Sequence, residues 1–293
     1  MFSPYVRRLR LAEALRKLRE DRNLTADEVA KTVFQSRGKL SKLETAQTRP
    51  EAFEIMGMLE RLNVTGKEYD KIIHLARTAA QKGWWDQYAK VMGPRQRLYA
   101  DLESGAETIR SYNQTAMPAA LQHPDFISAM IALDECQGPL DYIPERMAEA
   151  RARRQQHLLK EDGPTYEAVL DECVLHRLAV PAEVMAVQLR HLVSILTDKP
   201  QITIRILPHN VPIPGGFLPK SSFSLYTFPD PADPQIAVVD TVTTDLILTQ
   251  RREVARYTGV YNRVREAALP PAESLAFLER MADRLIEQKG SGL

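Results

Sequence analysis

Between residues 5 and 62, apolar side chains return every three or four positions in four short runs, and each run is closed by a residue that starts or stops helices. Leu9, Ala12, Leu15 and Leu18 form the first run, predicting a helix over about 5–22 that Asn23 ends. Thr25 then stands three positions before Glu28, the spacing of a capping box, ahead of an inner stripe of Val29, Ala30 and Val33. After a short break at Phe34-Gln35, Ser36 is placed to cap a third helix through about Thr45, with Leu40 and Leu43 inward. Pro50 stops that element, and Phe53, Met56, Leu59 and Leu62 mark a fourth helix. Tyr69, Ile72, Ile73 and Ala76 mark a fifth, closed by Gly83. Runs this short, joined by breaks this tight, leave room for little except a small all-α bundle of about five helices.

Charge is distributed unevenly between that bundle and the remainder of the chain. The whole is nearly neutral, with 39 basic and 38 acidic residues, yet residues 1–50 carry an excess of six cations and the remainder a net −5. A basic head on an acidic body is the asymmetry expected of a polyanion-binding module. Within the head, Arg37 and Lys39 project from the first turn of the third helix, which also holds Gly38, and Ser41 and Lys42 from the next. Arg, Lys and Ser suit phosphate oxygens and guanine edges, and the N-terminal ends of the helices begun by Thr25 and Ser36 add positive dipole ends. Thr25, Lys31, Ser36, Arg37, Gly38, Lys39, Ser41 and Lys42 are therefore the candidate DNA-binding residues.

The order from Leu24 to Pro50, with its caps, inner apolar positions and basic third helix, resembles the helix-turn-helix of Xre/Cro/lambda-repressor-type regulators. That resemblance implies that the third helix enters the major groove of double-stranded DNA with its N-terminal residues at base edges. One such head buries too little surface for tight specific binding, and half-sites about one helical turn apart require two, so a homodimer is expected. Ala26 stands where the family often has Gln, and Phe34-Gln35 replaces its usual Gly and small apolar residue.

Past Gly83 the texture changes. Residues 1–82 are expected to be the DNA-binding domain, 83–94 a Trp-rich linker holding Trp84 and Trp85, and 95–293 a larger α+β domain with a mainly antiparallel sheet, read as a sensor and partner-binding part with a possible dimer interface. Helices are predicted over about 95–113, 123–135, 144–160, 171–178, 181–197, 249–267 and 271–288, and strands over about 165–170, 201–207, 221–228 and 235–240. Because the last strands succeed one another through Pro/Gly turns, a βαβ repeat is not expected. Leu275, Phe277, Leu278, Met281 and Leu285 offer either core packing or a dimer face.

This second region looks like the C-terminal domain of WhiJ-like, antitoxin-like Xre regulators, on Met117-Pro118-Ala119-Ala120-Leu121-Gln122, Arg151…Arg154-Gln155, Leu170-Asp171-Glu172…Leu175, Gln188-Leu189 and Ile206-Leu207-Pro208. The resemblance implies a transcription regulator of development or specialised metabolism, paired with a small protein encoded nearby. From the residues alone, Arg151, Arg154 and Gln155 on one helix would hold an acidic protein partner or an anionic small molecule, and the Trp pair either anchors the chain or stacks on a ligand.

Other classes find less support. No apolar run reaches the length of a membrane helix, no export signal opens the chain, and Cys136 and Cys173 lack paired spacing, so a cytoplasmic, nucleoid-associated protein with free thiols is expected. No P-loop, GxSxG or GxGxxG occurs, so no catalytic residue, cofactor or metal is assigned. Cys173 and His176 at helical spacing are the best local pair for a metal or an enzyme. A hydrolase or transferase in the second region, and a helical docking module that has lost DNA, are the alternatives.

Overall fold

The computed structural model of the chain describes residues 2–34, 36–140, 142–216, 219–241 and 244–290. Its chain separates into two compact units. One comprises residues 1–87, 97–106 and 228–234; the other comprises 88–96, 107–227 and 235–293.

The first unit is helical. Helix α1 (Pro4–Glu20) starts at Ser3, whose hydroxyl accepts from the Val6 amide, with Pro4 set at the first turn. It stops where Asn23 takes a left-handed φ of 54°. Helix α2 (Ala26–Val29) opens with the complete capping box: the Glu28 amide donates to the Thr25 hydroxyl, and the Thr25 amide donates to the Glu28 carboxylate at 2.7 Å. It then widens into a π-helical turn at Ala30–Phe34. Gln35, half of the expected break, lies outside the described residues. Helices α3 (Arg37–Glu44), α4 (Ala52–Arg61) and α5 (Gly66–Ala79) match the apolar runs closely. Ser36 does sit at the N-cap of α3, but its hydroxyl makes no capping hydrogen bond, so the cap expected there is positional only. Leu11, Leu15, Val29, Leu40, Ile55, Leu59, Leu62 and Ile72 form one buried core. Beyond α5, Trp84–Tyr88 is a 3₁₀ turn, and the Trp85 ring lies against Gly83, leaving no room there for a Cβ.

The second unit carries a six-stranded sheet among the described residues, in the order β3-β2-β1-β4-β5-β6, from β1 (Thr108–Asn113), β2 (Thr165–Asp171), β3 (Ile202–Leu207), β4 (Phe223–Thr227), β5 (Ile236–Val239) and β6 (Leu246–Leu248). The β1–β4, β4–β5 and β5–β6 pairs are antiparallel, while β1–β2 and β2–β3 are parallel. This mixed sheet corrects two expectations. The predicted helix over 95–113 ends at Gly105, as α6 (Pro94–Gly105), and the chain then enters β1. β1, β2 and β3 are joined by helical crossovers, through α7 (Pro124–Gln137) and α8 (Pro144–Leu159), then through a single turn α9 (Cys173–His176) and α10 (Ala182–Asp198). Parallel neighbours need such crossovers. Consecutive strands in sequence disclosed only the antiparallel half.

Ala168, Val169 and Leu170 in β2 are all fully buried, as suits a strand flanked on both sides. Helix α11 (Arg251–Ala267) covers the sheet through Val254, Val260, Tyr261 and Val264, packed with Tyr112, Val169, Phe223 and Leu225. Helix α12 (Pro271–Gly290) packs on α10 and β3. Leu278, Met281 and Leu285 are buried there, so these three serve the core.

Candidate nucleic-acid interface and polar clasp

Helix α3 is fixed from beneath and bare on top. Leu40 and Leu43 are buried, and Glu44 at its end is gripped by Arg19 of α1, Nε to Oε1 at 2.7 Å and Nη2 to Oε2 at 2.9 Å. Arg16 donates to the Glu44 carbonyl, and Arg19 also donates to the Leu24 carbonyl at 2.9 Å. A two-pronged guanidinium–carboxylate pair with both side chains near 10% exposure sets orientation as well as energy. Ala46, with φ 58°, turns the chain away, and the Gln47 amide closes on the Lys42 carbonyl at 2.8 Å.

On the outer side, Thr25, Lys31, Ser36, Arg37, Gly38, Ser41 and Lys42 are exposed. Lys31 and Lys42 make no ion pair with any described residue. Arg37 leans to Asp27 of α2 at 3.5 Å, with 73% of its side chain still exposed. Lys39 turns back instead, to the nearly buried carboxylate of Glu54 on α4, a hydrogen bond that holds its ammonium pKa above the ordinary value. Gly38 has space around it: an added Cβ would meet only the Ser36 hydroxyl, at 3.6 Å. The N-terminus of α2 is already served by Glu28, whose carboxyl is held below its usual pKa by the Thr25 amide and hydroxyl.

The cations of α1, part of the excess counted over residues 1–50, are largely consumed. Arg7 and Arg10 pair with Asp230 at 2.8 and 2.7 Å and with Asp233, Arg8 lies near Asp101, and Arg22 donates to the Leu62 and Leu18 carbonyls. Arg49 makes a two-pronged pair with Asp86. These acids lie far along the sequence from α1, which is why the charge count over residues 1–50 could not foresee them.

In the second unit, Arg151 and Gln155 of α8 converge on the Met117–His123 segment. Arg151 donates to Gln122 Oε1 at 3.0 Å, and Gln155 Nε2 donates to the Gln122 carbonyl at 3.2 Å and to His191 Nε2 of α10 at 3.3 Å. Gln188, fully buried on α10, completes the hold: its Oε1 accepts from the His123 amide at 2.6 Å, and its Nε2 donates to the Leu121 carbonyl at 2.9 Å. Burial and the adjacent His123 ring, 5.2 Å away, push His191 below the usual imidazole pKa. Arg154 faces the same side of α8, half-buried. Three motif pieces distant in the sequence thus form one polar clasp. Gln122 and Gln188 were visible as motif letters, but neither Gln188 nor His191 was assigned a site role from sequence.

The remaining candidates fall elsewhere. Trp85 is buried and stands edge-to-face with half-buried Trp84, ring centroids 5.9 Å apart, so Trp85 offers no open face for stacking. His176 and His209 do not ligate beside Cys173; they bond the two oxygens of Glu172, at 2.9 and 2.7 Å. Among the described residues no group of three or more His, Cys, Asp or Glu is arranged to hold a metal ion. No helix among them is long and apolar enough to cross a membrane.

An α3 braced on its inner side and presenting a polar face beside a capped α2 is the arrangement of a helix-turn-helix head, and residues 10–71 match the family described as a helix-turn-helix domain, which supports a DNA-binding regulator. Residues 96–280, well over half of the chain, match the family described as a domain of unknown function, DUF5753, and the chain belongs to that family. No curated protein and no solved structure matches it.

Proposed function

We propose that the protein is an Xre-type, WhiJ-like regulator that binds double-stranded DNA through α3 as a homodimer, in the cytoplasm at the nucleoid, and governs genes of development or specialised metabolism. Residues 1–82 act as the reading head. Residues 95–293 act as the part whose binding of a small acidic protein or a small-molecule effector adjusts DNA affinity, with residues 83–94 joining them. The observation that carries this reading is the exposed face of Ser36, Arg37, Gly38, Ser41 and Lys42 on a helix whose inner side is locked by Leu40, Leu43 and the Arg19–Glu44 pair. In the roles this assigns, Lys31, Arg37 and Lys42 meet phosphate or guanine edges, Ser36 and Ser41 fix register, Gly38 lets the backbone approach, and Lys39 positions α3 through Glu54.

The test is DNA affinity as a function of salt. Real phosphate contacts give a negative log–log slope, about −0.9 per phosphate neutralised, and Lys42→Ala is expected to reduce its magnitude by about 1. A slope near zero favours the helical docking module. That second reading has an observation of its own, the commitment of Arg7, Arg8, Arg10, Arg16, Arg19 and Arg22 to protein partners.

A further inference from the structure

Arg151 is a half-buried cation whose one hydrogen-bond partner among the described residues is a neutral amide oxygen, Gln122 Oε1. No described carboxylate forms an ion pair with it, and the residue is only half-buried. Half-buried cations ordinarily take a counter-charge. What the surroundings supply falls short: burial first and the neighbouring Arg154 second work against the charged form of Arg151, and Tyr142 and Asp134 offset them only in part. His191 belongs to the same clasp. Its Nε2 lies 3.3 Å from Gln155 Nε2.

We infer that the outer edge of Arg151, backed by the Gln122–Gln155–His191 clasp, is a binding site for a carboxylate. This rests on the reading of the second unit as the responsive part, and it names the chemistry to which that part responds. A carboxylate suits the site better than a phosphate for two reasons. The fork of one guanidinium matches two oxygens sharing one negative charge. Asp134, held by the Tyr142 hydroxyl at 2.8 Å and within electrostatic reach of Arg151, opposes a dianion. Carboxylate capture also has a structural consequence. Arg151 holds Gln122, and Gln122 holds the Met117 carbonyl at 3.1 Å, so anchoring the guanidinium stiffens the segment from Met117 to His123. Two sources supply this chemistry, a small organic acid or an acidic side chain of a protein.

Calorimetric titration of the full chain with glutarate, and with a short Glu-rich peptide, at constant ionic strength in chloride, tests the site. Saturable binding of at least one probe is expected, weakened tenfold or more in Arg151→Met and less in Arg151→Lys, with slower amide exchange at Met117–His123 on binding. Arg151→Met removes a cation that forms no ion pair with a described carboxylate and is expected to fold. Preference for glutarate identifies a small acid as the source, and preference for the peptide identifies a protein. No saturable binding of either probe, equal binding by Arg151→Met, or tighter binding of inorganic phosphate overturns the inference. DNA affinity of Arg151→Met without carboxylate is expected to match the wild type. Loss of DNA binding by the wild type itself, with carboxylate binding intact, sinks the DNA reading and leaves this one standing.

Discussion

Replacing Gly38 with alanine separates what the fold needs from what a duplex needs. Gly38 is the second residue of α3, exposed, without a left-handed φ, and an added methyl would meet only the Ser36 hydroxyl at the ordinary contact distance of 3.6 Å. Nothing in the protein asks for glycine there, and glycine inside a helix costs roughly 0.5–1 kcal/mol relative to alanine. Gly38→Ala is therefore expected to stabilise the first unit by about 0.5–1 kcal/mol, partly by restricting the unfolded chain. For a unit of that size this raises the melting temperature by roughly 2–8 °C. If the first turn of α3 approaches base edges, the same methyl intrudes there and costs a contact of about 1–3 kcal/mol, a loss of roughly five- to 150-fold in affinity.

The assay pairs a thermal melt with fluorescence anisotropy on a duplex selected from a random-sequence pool. A more stable protein that binds more weakly supports the argument. Unchanged affinity refutes a close approach of α3 to the duplex at Gly38, and a lowered melting temperature refutes the open surroundings of that position.

Arg19→Met strips Glu44 of its two-pronged partner in a nearly buried setting, and is expected to cost about 3 kcal/mol in urea denaturation; a loss under about 1 kcal/mol would show that the pair does not hold α3. His191 has a folded pKa pushed below its ordinary 6.5 by burial first and His123 second, so the unfolded chain binds more protons and stability is lost as the pH falls below about 6.5. His191→Gln is expected to flatten that part of the stability–pH curve, read from melts between roughly pH 7.5 and 5.5.

The helices of the first unit were legible because their signals are local. Thr25 with Glu28, Asn23 at a positive φ and the Leu40/Leu43 stripe all act within one turn, and the structure uses each of them. The same reasoning extended the helix after Pro94 to residue 113, because Tyr99, Leu102 and Glu103 continue a helical pattern up to Gly105 and nothing local announces β1. What makes Thr108–Asn113 a strand is pairing with Thr165–Leu170 on one side and Phe223–Thr227 on the other, partners remote in the sequence. Propensity yields to that kind of tertiary pairing. Parallel order suffers most, since it depends on crossovers that sequence shows only as ordinary helices. The clasp behaves likewise. Gln122, Gln155 and Gln188 are each unremarkable in their own segments, and only the fold shows that they satisfy one another.

Charge gave the least faithful signal, for a reason that alters what binding should look like. An excess of six cations over residues 1–50 predicts a broad electrostatic footprint and a steep salt dependence. The fold instead divides those cations by depth: arginines whose long stems cover α1 end on Glu44, on backbone carbonyls, or on Asp101, Asp230 and Asp233. Beside α3 this leaves chiefly Lys31, Lys42 and the loosely held Arg37. If these three meet phosphates as proposed, about three contacts per head correspond to a slope near −3, and charge alone would add little to the affinity of one head. Under the proposed homodimer, discrimination rests on the shape and register of the α3 surface and on two heads set across neighbouring half-sites, which would make whatever sets the spacing of those heads the natural point of control.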